Sequence, residues 1–276
     1  MNIPFVKAHG AKNDFLLTWA HDLPARLDMP QTARAICERN TGIGADGWMI
    51  VSKSEFEDGA IRLYNADGSD SEISGNGTRC AAALLVDVGL AKTERVKILT
   101  GVGVKHLELK QRSGNEYLFE MNMGKPTVHN LYFNLPCSFP VGMVTVINVG
   151  NPQCVVFYED AFPPFWEKIG AEIERHPYFP NRTNVSFVRR VGNDTLEVRF
   201  FERGVGVTQS SGTGSTGAAA AAVARGLVTS PVQVETSAGS LTLCWKNDDI
   251  YLTGPAELIG RGEFNLNLRQ LSSSEY

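Results

Sequence analysis

The sequence predicts an α/β (α+β) protein of two pseudo-symmetric domains, each a mixed sheet wrapped around a central helix. Three observations carry this prediction. Two Ser-Gly-x-Gly segments begin at Ser74 and Ser211, 137 positions apart in a chain of 276. Their flanks repeat at the same offset, and each segment opens an Ala-rich run with no polar face. Repeats are the first thing to look for, because they decide the architecture.

The first segment reads Ser74-Gly75-Asn76-Gly77-Thr78-Arg79-Cys80-Ala81-Ala82-Ala83; the second reads Ser211-Gly212-Thr213-Gly214-Ser215-Thr216-Gly217-Ala218-Ala219-Ala220. Upstream, Arg62-Leu63-Tyr64 answers Arg199-Phe200-Phe201, and downstream Gly89-Leu90 answers Gly226-Leu227. After a one-residue slip, Thr100 and Gly103 answer Thr236 and Gly239. A chance Ser-Gly-x-Gly pair would not bring its flanks along.

Each half then reads in the same order. A strand runs into a loop rich in Gly, Asp and Glu, and the serine stands where a helix N-cap is wanted. The helix follows, small on every side over 80–85 and 218–224, which places it inside a core. Gly89 and Gly226 stand where a C-terminal glycine stops a helix. Strands are expected over Arg95–Thr100 and Val232–Thr236. Met123-Gly124-Lys125-Pro126 reads as a linker, giving domains 1–124 and 125–262, with 263–276 able to return to the first. The polar tail Ser272-Ser273-Ser274-Glu275 is expected to fray.

Bulk properties narrow the function classes. With 43% apolar and 20% charged residues the chain suits a globular fold with a large core. The net charge of −4 gives no electrostatic footprint for nucleic acid. No apolar run approaches the ~20 residues that span a bilayer. The start, Met1-Asn2-Ile3-Pro4-Phe5-Val6-Lys7, lacks the pattern of a secretory signal, so a cytoplasmic location is expected. Cys37, Cys80, Cys137, Cys154 and Cys244 are scattered, with neither a CxxC pair nor zinc spacing. They are expected as buried small hydrophobes, and no metal site is expected.

The repeated loops suggest chemistry. The first N–H groups of a helix have no intrahelical acceptor and the helix dipole favours an anion there. Each Ser-Gly-x-Gly start is thus a candidate anion site, the plain alternative being a capped helix and nothing more. Asn65-Ala66-Asp67-Gly68 and Glu202-Arg203-Gly204 begin nine residues before their respective serines. Asn13-Asp14, the glycine loop at 42–47, Asn151-Pro152-Gln153 and Asn184 add further polar groups. Loops with many Asn, an Arg and a Glu suit a small ligand that carries both amine and carboxylate.

These residues identify a resemblance. His9-Gly10-Ala11-Lys12-Asn13-Asp14-Phe15, the loop 42–47, Asn65-Ala66-Asp67-Gly68-Ser69, Gly75-Asn76-Gly77-Thr78-Arg79, Gly150-Asn151-Pro152, Glu202-Arg203-Gly204-Val205-Gly206 and Gly212-Thr213-Gly214 occur in order over nearly the whole chain. Together they resemble the diaminopimelate epimerase family. The resemblance implies two pseudo-symmetric α/β domains and a cofactor-free (PLP-independent) epimerase or racemase acting on a small amino acid. It also implies a role in lysine biosynthesis, and it is compatible with a homodimer. Asn13, Asn65, Asn151, Asn184 and Arg203 match positions that hold the substrate. Gly75-Asn76 and Gly212-Thr213 match the helix starts that receive the α-carboxylate. Glu202 matches an acidic residue beside one catalytic thiol.

The catalytic set departs from the family pattern. The two cysteine positions hold Ser74 and Ser211, and the histidine that follows Asn-Pro is Gln153. Val207 and Gly47 stand where the family has a glutamate and a glutamine. A serine hydroxyl is a weaker acid than a thiol by several units, each worth about 1.36 kcal/mol, and usually needs an adjacent base. Glu202 can be that base for Ser211; Gln153 cannot accept a proton at neutral pH. Three readings stay open at this point. The serines are introduced substitutions, although Gln153 speaks against that; or the chain is a natural epimerase with Ser74 and Ser211 as acid/base groups; or it binds an amino acid, or runs another isomerisation or elimination, without the family reaction.

Overall fold

The computed structural model describes residues 1–71 and 73–266. The polar tail from Ser272 to Glu275 lies outside the described residues. The chain divides into two compact units. The first holds Met1–Glu120 and the described residues from Pro255 onward; the second holds Met121–Gly254.

The first unit contains strands β1 (Asn2–Gly10), β2 (Asn13–Trp19), helix α1 (Met29–Cys37), β3 (Gly47–Ser52), β4 (Gly59–Asn65), β5 (Asp70–Ser71), helix α2 (Gly75–Asp87), β6 (Arg95–Thr100) and β7 (Gly103–Ser113). Strand β8 (Glu116–Gly124) carries the chain into the second unit. There follow β9 (Thr127–Asn134), β10 (Met143–Asn148), β11 (Pro152–Tyr158), α3 (Trp166–Glu174), β12 (Asn184–Arg190), β13 (Thr195–Glu202), β14 (Gly206–Thr208), α4 (Gly212–Ala224), β15 (Val232–Thr236) and β16 (Gly239–Lys246). Strand β17 (Asp249–Asn265) brings the chain back, its last part pairing antiparallel with β1.

The repeat is one of pairing as well as sequence. In the first unit β1–β2 is antiparallel, β2–β3 parallel, β3–β4 antiparallel, β4–β5 antiparallel, β4–β6 parallel and β6–β7 antiparallel. In the second unit β10–β11, β11–β12, β12–β13, β13–β14, β13–β15 and β15–β16 follow the same series. Strand β9, paired antiparallel to β10, answers the last part of β17, which pairs antiparallel with β1.

Each unit is wrapped on one central helix. Helix α2 is buried from Gly75 through Leu85, and α4 from Ala218 through Ala222 without a break. Alanine gives α4 both helix propensity and a thin cylinder on which strands can close. Val155, Val188, Val198, Phe200, Val234, Leu241 and Leu252 pack around it. Both helices end as expected. Gly89 and Gly226 take φ of +73° and +70°, and the next residues return N–H groups to Leu85 and Ala222. That is a Schellman closure, which the missing Cβ of glycine allows. The outer helices are one-sided: α1, capped by Asp28, buries Thr32, Ala33, Ile36 and Cys37, and α3 buries Trp166, Ile169, Gly170 and Ile173.

Two expectations need correction. Met123-Gly124 ends strand β8, so only Lys125-Pro126 lies between strands. Backbone hydrogen bonding of β8 overrides the turn character of the glycine. Cys37, Cys80 and Cys154 are buried, but Cys137 and Cys244 are only partly covered. Cys137 sits in the loop after β9, and alternate residues of β16, including Cys244, face outward.

Candidate active site

The site is described one unit at a time, beginning with the helix starts. Ser74 adopts extended backbone as the N-cap of α2, and its Oγ accepts from Gly77 N–H at 3.1 Å. Ser211 does the same for α4, accepting from Gly214 N–H at 3.0 Å. The N–H groups of Gly75 and Asn76, and of Gly212 and Thr213, precede the capped donor and have no intrahelical acceptor. Each helix therefore presents two backbone donors and the positive end of its dipole, an arrangement that receives a carboxylate. Each serine oxygen already accepts a hydrogen bond, and its proton remains free to donate. Ser74 is half-buried and Ser211 buried.

Close approach explains the glycines. A Cβ at Gly77 would stand 2.7 Å from Met49 Cε, and one at Gly214 would stand 2.7 Å from Phe200 Cδ1. Gly10 lets the end of β1 come against Asn76, where a Cβ would be 3.1 Å from the Asn76 carbonyl oxygen.

Around α2 the polar groups form a chain. Arg79, fully buried, donates through Nη2 to Asn76 Oδ1 at 2.6 Å and through Nε to the Pro255 carbonyl at 3.0 Å. Burial lowers its guanidinium to about 10, still protonated near neutral pH. Asn76 Nδ2 donates to Asn13 Oδ1 at 3.1 Å, and Asn13 Nδ2 donates to Asp46 Oδ2 at 2.7 Å. Arg39 then pairs with both Asp46 and Asp14, and Lys7 reaches Asp14 at 2.9 Å. Burial pushes the Asp14 carboxyl up, but hydrogen bonds from Arg39 and Lys7 outweigh it and hold the group below its ordinary value. Asn65, at the end of β4, donates to Ser69 Oγ at 2.9 Å within its own turn.

The second unit repeats the theme with other residues. Asn151, just before β11, donates through Nδ2 to Thr213 Oγ1 at 3.3 Å. Gln153, fully buried, donates to Asn151 Oδ1 at 2.7 Å. Asn184 stands opposite Gln153 in the parallel β11–β12 pair. Its Nδ2 donates to the Pro152 carbonyl, and its Oδ1 accepts from Arg203 N–H at 3.1 Å. The Arg203 side chain is exposed, with Nη1 donating to the Asn181 carbonyl at 3.3 Å. Glu202 ends β13 and is half-buried. Buried beside the helix start, Gln153 Oε1, Ser210 Oγ and Ser215 Oγ have no hydrogen-bond partner among the described residues. Such groups are costly unless something donates to them or accepts from them.

Of the residues expected from sequence, the structure joins Asn13 with Asn76, Asn151 with Gln153 and Thr213, and Asn184 with Arg203. Sequence reasoning placed Arg79 and Asp46 in motifs but gave them no role, and it missed Glu174. The last is buried, clamps Gly204 N–H at 3.0 Å and pairs with Arg182. A buried charge inside an otherwise apolar helix was the one available signal for Arg79. The cysteines are remote from this chemistry in character: burial pushes the Cys80 thiol up to about 12 and raises that of Cys154 as well. Among the described residues no group of three or more His, Cys, Asp or Glu is placed to hold a metal. Among the described residues no helix is long and apolar enough to cross a membrane.

Comparison with known proteins gives one consistent result. The family model for diaminopimelate epimerase matches residues 5–129 and 145–259. A diaminopimelate epimerase of Pelotomaculum thermopropionicum is 35% identical, covering 94% of this chain and 98% of the relative. That of Moorella thermoacetica is 36% identical over 95% of this chain and 99% of its own. In fold, the chain matches a crystal structure of a hydroxyproline epimerase from Agrobacterium vitis. The TM-score is 0.72 at 15% identity, over 95% of this chain and 92% of the other.

Proposed function

The chain belongs to the diaminopimelate epimerase family, and on that premise we propose that it inverts the α-carbon of an amino acid without a cofactor, with diaminopimelate as substrate. One observation supports this above the others. Each unit carries the same arrangement: a serine-capped helix start, two free backbone donors, and an asparagine from the preceding strand pair bonded to the second helical residue. An inversion needs two equivalent groups acting on opposite faces of one carbon, and each unit carries one such arrangement.

In the proposed step, deprotonated Ser211 Oγ takes the α-proton while Ser74 O–H gives one to the opposite face. The C–H bond broken at one face is replaced by a C–H bond at the other, and no electrons leave the substrate. Glu202 is assigned to receive the Ser211 proton beforehand. The free N–H groups of Gly75, Asn76, Gly212 and Thr213 bind the α-carboxylate and stabilise the negative charge that develops at the α-carbon. Asn13, Asn65, Asn151, Asn184 and Arg203 hold the remaining amino-acid groups. The protein is read as cytoplasmic, serving lysine biosynthesis.

A second reading rests on the serine caps. Both oxygens already do structural work, and a hydroxyl is a weak acid, which favours a binder that does not turn over. The measurement that separates the two is α-proton exchange by NMR, with LL- and meso-diaminopimelate in deuterated water. Loss of the α-proton signal, abolished by Ser74→Ala or Ser211→Ala, supports the epimerase. Saturable binding with no exchange supports the binder.

A further inference from the structure

Asn13 and Asn76 each offer one carbonyl oxygen and one NH2 group, and either amide could in principle sit either way round. The surroundings remove that freedom. Arginine has only donors, so the oxygen of Asn76 must face Arg79 Nη2, 2.6 Å away. Its Nδ2 is then turned to Asn13, whose oxygen receives it at 3.1 Å. That leaves the Asn13 Nδ2 facing Asp46, a carboxylate with only acceptors, at 2.7 Å. Donor-only and acceptor-only ends demand the same polarity along the whole line.

The two ends are unequal. Asp46 and its partner Arg39 are largely exposed, with side chains 43% and 59% accessible, so solvent competes for that end. Arg79 is fully buried and cannot exchange its acceptors for water. It also grips the Pro255 carbonyl on β17 and the Gly75 carbonyl in the first turn of α2. The buried end therefore sets the direction.

We propose that Arg79 is a positioning residue: through Asn76 it fixes which way the Asn13 amide faces, and so which groups that amide presents to an amino acid. Asn13 is half-buried and keeps one N–H and one oxygen lone pair for a ligand. The second unit reaches the same end by another route. The residue 137 positions after Arg79 is Thr216, whose hydroxyl is spent on the Gly212 carbonyl. There Gln153 donates directly to Asn151 Oδ1 instead. The ligand part of this proposal rests on the amino-acid reading above; the relay itself does not.

The test uses the full chain labelled with ¹⁵N. Asn76→Asp keeps an acceptor for Arg79 but removes the N–H that Asn13 receives. The Asn13 NH2 resonances are expected to shift and broaden, with the circular-dichroism melt close to that of the parent. The Kd for meso-diaminopimelate is expected to weaken about tenfold or more, the scale of losing a well-oriented polar contact. Arg79→Met should move the same Asn13 resonances although Arg79 does not touch Asn13, and Arg79→Lys should recover part of that change. Asn13 resonances left in place by Asn76→Asp would overturn the relay. So would moved resonances with unchanged affinity, for the positioning role. If the parent protein binds no diaminopimelate, the substrate reading fails by itself and the amide resonances still decide the relay.

Discussion

Gln153 and Gly217 share one space: a Cβ on Gly217 would stand 2.9 Å from Gln153 Cγ and 3.2 Å from its Cβ. Gly217 lies within α4, where alanine is ordinarily better than glycine by roughly 0.5–1 kcal/mol. The glycine is explained by the side chain it accommodates.

That relationship predicts opposite signs for one substitution in two backgrounds. Gly217→Ala in the parent chain should be neutral or destabilising, because a fully buried Gln153 has nowhere to move. In a Gln153→Gly background, which removes both contacting carbons, the same change should stabilise by about 0.5–1 kcal/mol. Urea unfolding of the four proteins measures the coupling, and additive effects would show that the two residues do not share the space.

The serine caps separate structure from chemistry. Ser74→Ala or Ser211→Ala removes a cap and should cost about 0.5–2 kcal/mol, whereas glycine at either position should cost only a few tenths. If the hydroxyls carry protons, both substitutions should abolish α-proton exchange alike. Installing the stronger acid in the Ser74→Cys/Ser211→Cys pair should then speed exchange by about tenfold or more, since the thiol ionises several units lower than a hydroxyl. Exchange that survives Ser→Gly at both positions would remove the serines from the mechanism.

How much of this was legible depends on distance along the chain. Caps, helix stops and strands are local, so Ser74, Gly89 and the strand Arg95–Thr100 could be read from short patterns, and the repeat reinforced each reading. The anion-receiving helix starts were legible for the same reason. The relay was not: Asn76 and Asn13 are 63 positions apart, and Asn13 and Asp46 are 33 apart. Only the closing of β1, β2 and β3 around α2 brings them together. Loop composition showed polar groups near Asn13 and in 42–47 but could not show that Asp14 and Asp46 share Arg39. Likewise, the linker assigned to Met123-Gly124 failed because sheet pairing, a tertiary event, extended β8 through a glycine.

The Asp14 cluster predicts how stability responds to acid. Its carboxyl is buried, which alone would raise it, yet bonds from Arg39 and Lys7 hold it below the ordinary 3.8. A group depressed on folding adds stability above its unfolded value and loses it as pH falls through the folded one. The parent should therefore exceed Asp14→Asn in stability at neutral pH, and the gap should close as pH drops below 3.8. Urea unfolding from pH 7 down to about pH 2 follows it. A gap that stays constant with pH would assign the effect to packing.

Arg203 tests the distal end of the ligand. Its backbone is clamped from two sides, by Asn184 Oδ1 on its own N–H and by Glu174 Oε1 on that of Gly204. The side chain itself is exposed and makes one bond at 3.3 Å to the Asn181 carbonyl. Removing it should leave stability within about 0.5 kcal/mol, as for other surface positions. A guanidinium held by its backbone, with donors at its tip beyond the one spent on Asn181, suits a carboxylate, which it can meet with two parallel bonds. Arg203→Ala should thus weaken meso-diaminopimelate binding by about tenfold or more, and alanine binding much less, because alanine has no distal carboxylate. Calorimetric titration with both ligands reads the difference. Equal losses would place Arg203 near the α-carboxylate, and no loss for either would take it out of the site.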